Sequence, residues 1–262
     1  TQGVSSAASD VYKRQVLGAF MEDLAMHGGR PVRSALLGYG HQKISEDDIR
    51  SVVDVLRGDY LTCGPATTAF EYSLREVTGA RYVSAVANGT AALHVAMLAL
   101  GIGPGDEVIV SPITFAASAN CVLYCGATPV FADIDPETWN ISPISIEEKI
   151  TPRTKAIVAV DFGGVPVDLD SIRRICDRYD LALVEDAAHS LGSKLDGRPV
   201  GSIADITTFS FHPVKTVTTG EGGAVATSDP ELAQRIELFS KHGITRKKEL
   251  MEHPDEGSWY YE

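Results

Sequence analysis

Positive charge is in short supply in this chain of 262 residues: 23 Lys and Arg stand against 35 Asp and Glu, for a formal charge of -12. Nucleic-acid binding needs clustered Lys and Arg to neutralise phosphates. No such cluster occurs, which argues against a nucleic-acid partner and still leaves room for a local site for one phosphate group. Apolar runs are short as well. Residues 91–100 and 107–110 fall far below the roughly 18 residues of a membrane-spanning helix, so no membrane partner and no secretion are expected, and the chain is placed in the cytoplasm. Cysteine is limited to Cys63, Cys121, Cys125 and Cys176 without a CxxC pair, a pattern read as buried free thiols in a reducing compartment.

Common catalytic signatures are missing too. There is no GxxxxGKS/T, HExxH or GxSxG; Gly38-Tyr39-Gly40 lacks the third glycine of a dinucleotide fingerprint, and Gly101-Ile102-Gly103-Pro104-Gly105 follows a predicted helix instead of opening one. His27, His41, His94, His242 and His253 show no metal-ligand spacing, so no metal is expected.

What the chain does carry is an ordinary enzyme composition, 44% hydrophobic and 22% charged, enough for one large α/β domain or two smaller ones. Residues 1–30 show no sustained period and read as a disordered or artefactual extension. Order is expected from about Leu36, and residues 31–262 are assigned to one large domain that opens with a helical segment. Ser45 caps that helix, Asp48 adds a partial capping box, and Ile49, Val52, Val53 and Leu56 recur on one face. From there β-rich runs at 82–86, 107–111, 129–132, 156–160, 181–185, 205–211 and 224–227 alternate with other segments, helical at 90–100, 116–124, 169–179 and 231–241. The alternation predicts a mainly parallel sheet flanked by helices, in which ligands bind at the carboxyl ends of the strands.

The residues that could carry chemistry gather at those ends. Asn88-Gly89-Thr90 follows one strand and opens a helix, where free N–H groups, the helix dipole and the Thr90 hydroxyl suit a phosphate dianion; the plain alternative is a capped turn. Asp186 ends an apolar strand, where an unpaired charge is costly, so a cationic partner is expected; a protonated pyridine nitrogen is one candidate, and the plain alternatives are a salt bridge or a helix-capping Asp. Glu185 beside it points to the opposite side. Phe115, at a strand end, could stack on a planar ring or join the core. His189 could donate to a ring oxygen or be a satisfied loop histidine. Ser210 closes the strand that leads to Lys215, and Gly220, Gly222 and Gly223 let backbone approach a ligand. Taken in order, the set is what a Schiff-base enzyme requires. A lysine forms an imine with pyridoxal 5'-phosphate, and an acid keeps the ring nitrogen protonated so that the ring accepts electrons.

With those residues in hand, the chain resembles the DegT/DnrJ/EryC1 sugar aminotransferase family from about residue 38 to 262. The likeness is carried by Asn88-Gly-Thr-Ala-Ala-Leu93, Ser111-Pro-Ile-Thr-Phe115, Glu185-Asp-Ala-Ala-His189, Ser210-Phe-His-Pro-Val-Lys215 and Thr219-Gly-Glu-Gly-Gly223. The resemblance implies the aspartate aminotransferase-like (type I) fold: an α/β large domain with a mostly parallel sheet sandwiched by helices, and a small C-terminal domain that this chain lacks. It implies pyridoxal 5'-phosphate as cofactor, with Lys215 catalytic and covalently attached, Asp186 on the pyridine nitrogen, Gly89, Thr90 and Ser210 on the phosphate, Phe115 on the ring face and His189 where many relatives have Gln. Relatives that are dehydratases replace the lysine with histidine, so Lys215 favours transamination.

Asp133-Ile-Asp-Pro136 with Trp139-Asn140, Asp161-Phe-Gly-Gly164, and His242-Gly-Ile-Thr-Arg246 followed by Trp259-Tyr-Tyr-Glu262 look most like the branch that makes UDP-4-amino-4,6-dideoxy-N-acetyl-β-L-altrosamine. That likeness implies glutamate and a UDP-linked 4-keto-6-deoxy-N-acetylhexosamine as substrates, and a homodimer for the full-length protein. No base or ribose motif is legible, and Tyr39, His41 and His212 stand as unranked neighbours of the substrate.

Overall fold

The computed structural model describes residues 24–38, 40–257 and 259–262. By contacts the chain divides into two units, one ending at His41 and one running from Gln42 to Glu262, whereas the expected large domain began at residue 31. Most of the expected N-terminal extension, and Tyr39, lie outside the described residues. Within residues 24–30 there is one 3-10 turn, Ala25–His27, closed by Gly28 in the left-handed region at φ 94°.

Among the described residues, seven of the nine strands form one sheet. They are β1 (Tyr82–Val86), β2 (Glu107–Val110), β3 (Thr128–Phe131), β4 (Thr154–Val160), β5 (Ala182–Asp186), β8 (Ile206–Ser210) and β9 (Gly223–Thr227), while β6 (Lys194–Leu195) and β7 (Arg198–Pro199) make a small hairpin. The sheet order is β1-β9-β8-β5-β4-β2-β3; β9 runs antiparallel to both neighbours and every other pair is parallel. The expectation of a mainly parallel sheet holds, and the reversed strand is explained by its short return from the loop after β8. Central strands are apolar almost throughout, as in β4, because both of their faces are covered.

Helices clothe the two faces. On one side α3 (Gly89–Leu100), α4 (Ala117–Tyr124) and α7 (Pro230–Ser240) enclose Val108, Val158, Val184, Ile206 and Val225. Helix α3 buries Ala92, Leu93, Val95, Ala96, Met97 and Ala99. It is apolar nearly all round, as a helix between sheet and helices must be. On the other side α6 (Leu169–Tyr179) buries Leu169, Ile172, Ile175 and Cys176 against Ile157, Ala159 and Leu183. Each such fully buried aliphatic side chain contributes about 1.5–3 kcal/mol.

Two helices escaped the sequence pattern: α2 (Pro65–Thr78) and α5 (Pro143–Lys149). Only Leu74 and Thr78 of α2 are buried and α5 has seven residues, so neither shows a sustained apolar stripe. Helix α1 (Glu46–Arg57) forms as expected, and its capping box is complete, since the Asp48 carboxylate also accepts the Ser45 N–H at 2.7 Å. Its apolar face is not core, however: Ile49, Val52 and Leu56 are exposed. The cysteines depart from expectation as well. Cys121 and Cys176 are buried, but Cys125 is half-buried and Cys63 is exposed in a loop; all four are free thiols. Among the described residues no helix is long and apolar enough to cross a membrane.

Candidate active site

The carboxyl ends of β4, β5 and β8 open onto a cavity of about 450 Å³ beside the first turn of α3. All seven residues singled out from the sequence line it: Gly89, Thr90, Phe115, Asp186, His189, Ser210 and Lys215. Residues far apart in the chain thus meet at the place where parallel strands feed into loops.

Part of the cavity wall is the backbone that starts α3. Asn88 is extended, its Oδ1 accepts the Ala91 N–H at 2.8 Å, and its carbonyl accepts the Ala92 N–H at 3.0 Å. The N–H groups of Gly89 and Thr90, in the first turn, have no intrahelical acceptor and lie at the positive end of the helix dipole. A Cβ on Gly89 would come within 2.8 Å of Ser210 Cβ, so glycine is what lets the Ser210 side chain sit against the turn.

Asp186, also in the lining, is only 6% exposed. Ser118 Oγ, from α4, donates to its Oδ2 at 2.6 Å, and the Ala188 N–H donates to its Oδ1 at 3.2 Å. No salt bridge among the described residues includes it. Burial pushes its pKa up, while the bonds from Ser118 and Ala188 and the charges of Lys215 and His189 act the other way. A buried carboxyl group held by two donors, facing a cavity and without a cation, fits a protonated ring nitrogen.

Lys215 stands in the loop between β8 and β9. That loop is pinned at its neck, where Phe211 N–H donates to the Gly222 carbonyl at 2.8 Å and Thr219 N–H to the Phe211 carbonyl at 3.0 Å. Lys215 N–H donates to the His212 carbonyl at 2.9 Å, which curls the chain so that the side chain reaches the half-buried cavity wall. Burial lowers its pKa, opposed by Asp186, which moves it toward the neutral amine a nucleophile needs. His189 is exposed at the rim; burial of its ring and then the charge of Lys215 lower its pKa, against Asp186. Phe115 also lies at the rim and is 74% exposed, so its ring is open to stack on whatever fills the cavity.

His212 lines the cavity, whereas His41 belongs to the N-terminal unit. Phe162, Thr114, Thr208 and Glu221 line it too without having been singled out. Phe162 had a usable signal, an aromatic directly after a predicted strand. Ser118 had none, because its value lies in a bond to a residue 68 positions away. Glu185 occupies the opposite sheet face as expected, with Oε2 accepting from Thr207 Oγ1 at 2.8 Å and Gly201 N–H at 3.2 Å.

A model of the DegT/DnrJ/EryC1/StrS aminotransferase family matches residues 42–257. The chain belongs to that family. It is 45% identical over 230 residues to the spore coat polysaccharide biosynthesis protein SpsC of Bacillus subtilis, covering 88% of this chain and 59% of the relative. Among solved structures it is similar to Helicobacter pylori PseC, an aminotransferase involved in the biosynthesis of pseudoaminic acid, at 37% identity and TM-score 0.76, over 80% of this chain and 57% of PseC. It is also similar to the PLP form of Spr1654 from Streptococcus pneumoniae, at 34% identity and TM-score 0.78, over 86% of this chain and 60% of that one. The family and these neighbours share the α/β architecture with its mostly parallel sheet. The chain spans about 60% of the length of the curated relatives it matches.

Proposed function

We propose that this chain carries the cofactor site of a pyridoxal-phosphate-dependent sugar aminotransferase, which moves an amino group from glutamate to C4 of a UDP-linked 4-keto-6-deoxy-N-acetylhexosamine. The observation that carries the reading is the pairing, in one cavity, of a lysine with a lowered pKa and a buried carboxylate that lacks a cation, set beside a helix start with free N–H groups. When bound, pyridoxal phosphate supplies an electron sink for the carbon that loses its proton.

The chain's own residues do the rest. Gly89 and Thr90 N–H groups and the hydroxyls of Thr90 and Ser210 anchor the phosphate. Asp186, held in place by Ser118 and Ala188, keeps the ring nitrogen protonated. Phe115 would cover the ring face and exclude water from it, and His189 would donate to the ring oxygen. Lys215 Nζ would hold the cofactor as its amine ligand and would serve as the base that moves the proton in both half-reactions. In this reading the full-length protein is a cytoplasmic homodimer.

The substrate assignment draws on the family likeness together with Trp139-Asn140 and Asp161-Phe-Gly-Gly164, and on the similarity to PseC. The test is spectroscopic first. Pyridoxal phosphate added to the protein should give a visible absorbance band that L-glutamate bleaches, and Lys215→Ala should abolish the band; an unchanged band in the variant removes Lys215 from its role. Product analysis with UDP- and TDP-linked 4-keto sugars then decides the substrate. Bleaching by glutamate with no amination of the UDP sugar would confine the reading to another keto sugar, and no band at all would leave a non-catalytic member of the family.

A further inference from the structure

Behind the sheet, on the face opposite the cavity, two carboxyl groups are buried side by side. Asp161 directly follows β4 and Glu185 lies on β5, and neither side chain has measurable exposure. Glu185 Oε2 is satisfied by Thr207 and Gly201, but Oε1 has no donor within reach. The Glu185 and Asp161 carboxyls lie within hydrogen-bond reach of one another, so the two acids are complementary only if one proton lies between them. Burial and mutual repulsion raise Glu185, and burial raises Asp161, so the pair holds a proton above the ordinary carboxylate range.

Asp161 is also a junction between two loops. Its Oδ1 accepts the Val167 N–H at 2.9 Å and its Oδ2 accepts the hydroxyl of Ser190. Its own N–H donates to the Asp186 carbonyl at 3.1 Å, and its carbonyl accepts the Gly164 N–H at 3.1 Å. One loop, 162–167, carries Phe162 to the cavity wall, and the other, 187–190, carries His189. The loops touch closely: a Cβ on Gly164 would stand 2.9 Å from the His189 carbonyl oxygen, and Ser193 Oγ donates to the Gly164 carbonyl at 3.2 Å. Asn140 braces the first loop from its far side, accepting the Phe162 N–H at 3.0 Å and donating to the Val165 carbonyl at 3.1 Å.

We infer that Asp161 is a positioning residue for the cofactor cavity: through Ser190 and Val167 it locks the Phe162 loop to the His189 loop, and Glu185 supplies the shared proton that lets it stay buried. The inference rests on the cofactor reading only for its effect on ligand binding. The lock itself belongs to the cofactor-free chain.

Ser190→Ala removes one bond of the lock, Asp161→Asn turns one of the two acceptor oxygens into an NH2 donor and removes the charge, and Ser190→Thr keeps the hydroxyl. Amide hydrogen exchange on the cofactor-free protein should quicken in segments 162–167 and 187–193 for Ser190→Ala and return toward wild type in Ser190→Thr. Titration with pyridoxal phosphate should show affinity lowered about tenfold in Ser190→Ala, the change that one lost buried hydrogen bond of ordinary strength produces. The visible circular-dichroism signal per bound cofactor, which reports ring orientation, should fall as well. Unchanged exchange in both segments, or wild-type affinity and dichroism in a folded Ser190→Ala protein, overturns the inference. If Asp161→Asn does not fold, the two Ser190 variants decide. If the wild type binds no cofactor, the proposed function fails while exchange still tests the lock.

Discussion

Replacing Gly223 by Ala tests how tightly the sheet supports the phosphate turn. Gly223 opens β9 and pairs with Val86 of β1 on one side and Ser210 of β8 on the other. A Cβ there would stand 2.4 Å from both the carbonyl carbon and oxygen of Asn88 and 2.8 Å from the nitrogen of Gly89. Two effects compete. Alanine in a strand recovers about 0.5–1 kcal/mol of backbone entropy relative to glycine, and overpacking costs about 1–3 kcal/mol or more. The clash wins here, because the three atoms are backbone of the turn that starts α3 and cannot swing aside as a side-chain end would. A net loss of about 2 kcal/mol lowers the melting temperature of a domain this size by about 4–8 °C. Because the turn must move, the Gly89 N–H moves with it, and affinity for pyridoxal phosphate should fall by at least about tenfold. The assay is a far-UV circular-dichroism melt with a cofactor titration, run beside Gly103→Ala. Gly103 has open space where a Cβ would go and no left-handed backbone, so that variant should melt at or above wild type. A Gly223→Ala protein that melts with wild type and binds cofactor equally would refute the close approach.

Other expectations follow from single contacts. Ser118→Ala deletes the hydroxyl that donates to Asp186 at 2.6 Å; without it the Asp186 pKa rises further, cofactor affinity falls about tenfold, and the deficit narrows as rising pH ionises the acid, readable by absorbance titration across pH. Glu185→Gln probes the acid pair. Burial raises both carboxyls in the folded state, so the fold binds more protons than the unfolded chain and loses stability as pH climbs above the ordinary carboxylate range. The glutamine stays neutral and can still donate to Asp161, so its urea midpoint should gain on wild type as pH rises; parallel curves would exclude the shared proton. Asp205→Ala strips two bonds from Arg173, at 3.0 and 2.7 Å, and one from the Leu183 N–H at 2.7 Å. It should cost about 2–3 kcal/mol in chemical denaturation, since it leaves partly buried donors unpaired.

Much of the scaffold could be read from local pattern. Each of the seven β-rich runs became a strand of the main sheet, with ends shifted by a residue or two, because β-branched runs such as 156–160 have few alternatives once buried. The four helices placed after residue 82 were legible for the same reason. Helix α2 was not, since it shows the core little beyond Leu74, and α1 carries an apolar stripe that this unit leaves uncovered. In the cavity, Gly89, Asp186 and Lys215 were visible because each breaks the pattern at a strand end. Ser118 and the Asp161–Ser190 bond were not, because their meaning lies in partners far along the chain.

By itself, then, the sequence determined which residues could bear charge, accept a phosphate or form an imine, and that they would fall at the ends of parallel strands. Local propensity and composition suffice for that. Only the tertiary structure decided that Asp186 would be left buried without a cation, held by a serine from another helix. It alone placed an acid pair, Asp161 and Glu185, behind the sheet, since burial and cross-strand neighbours are set by how the strands are ordered, not by the order of residues along any one of them.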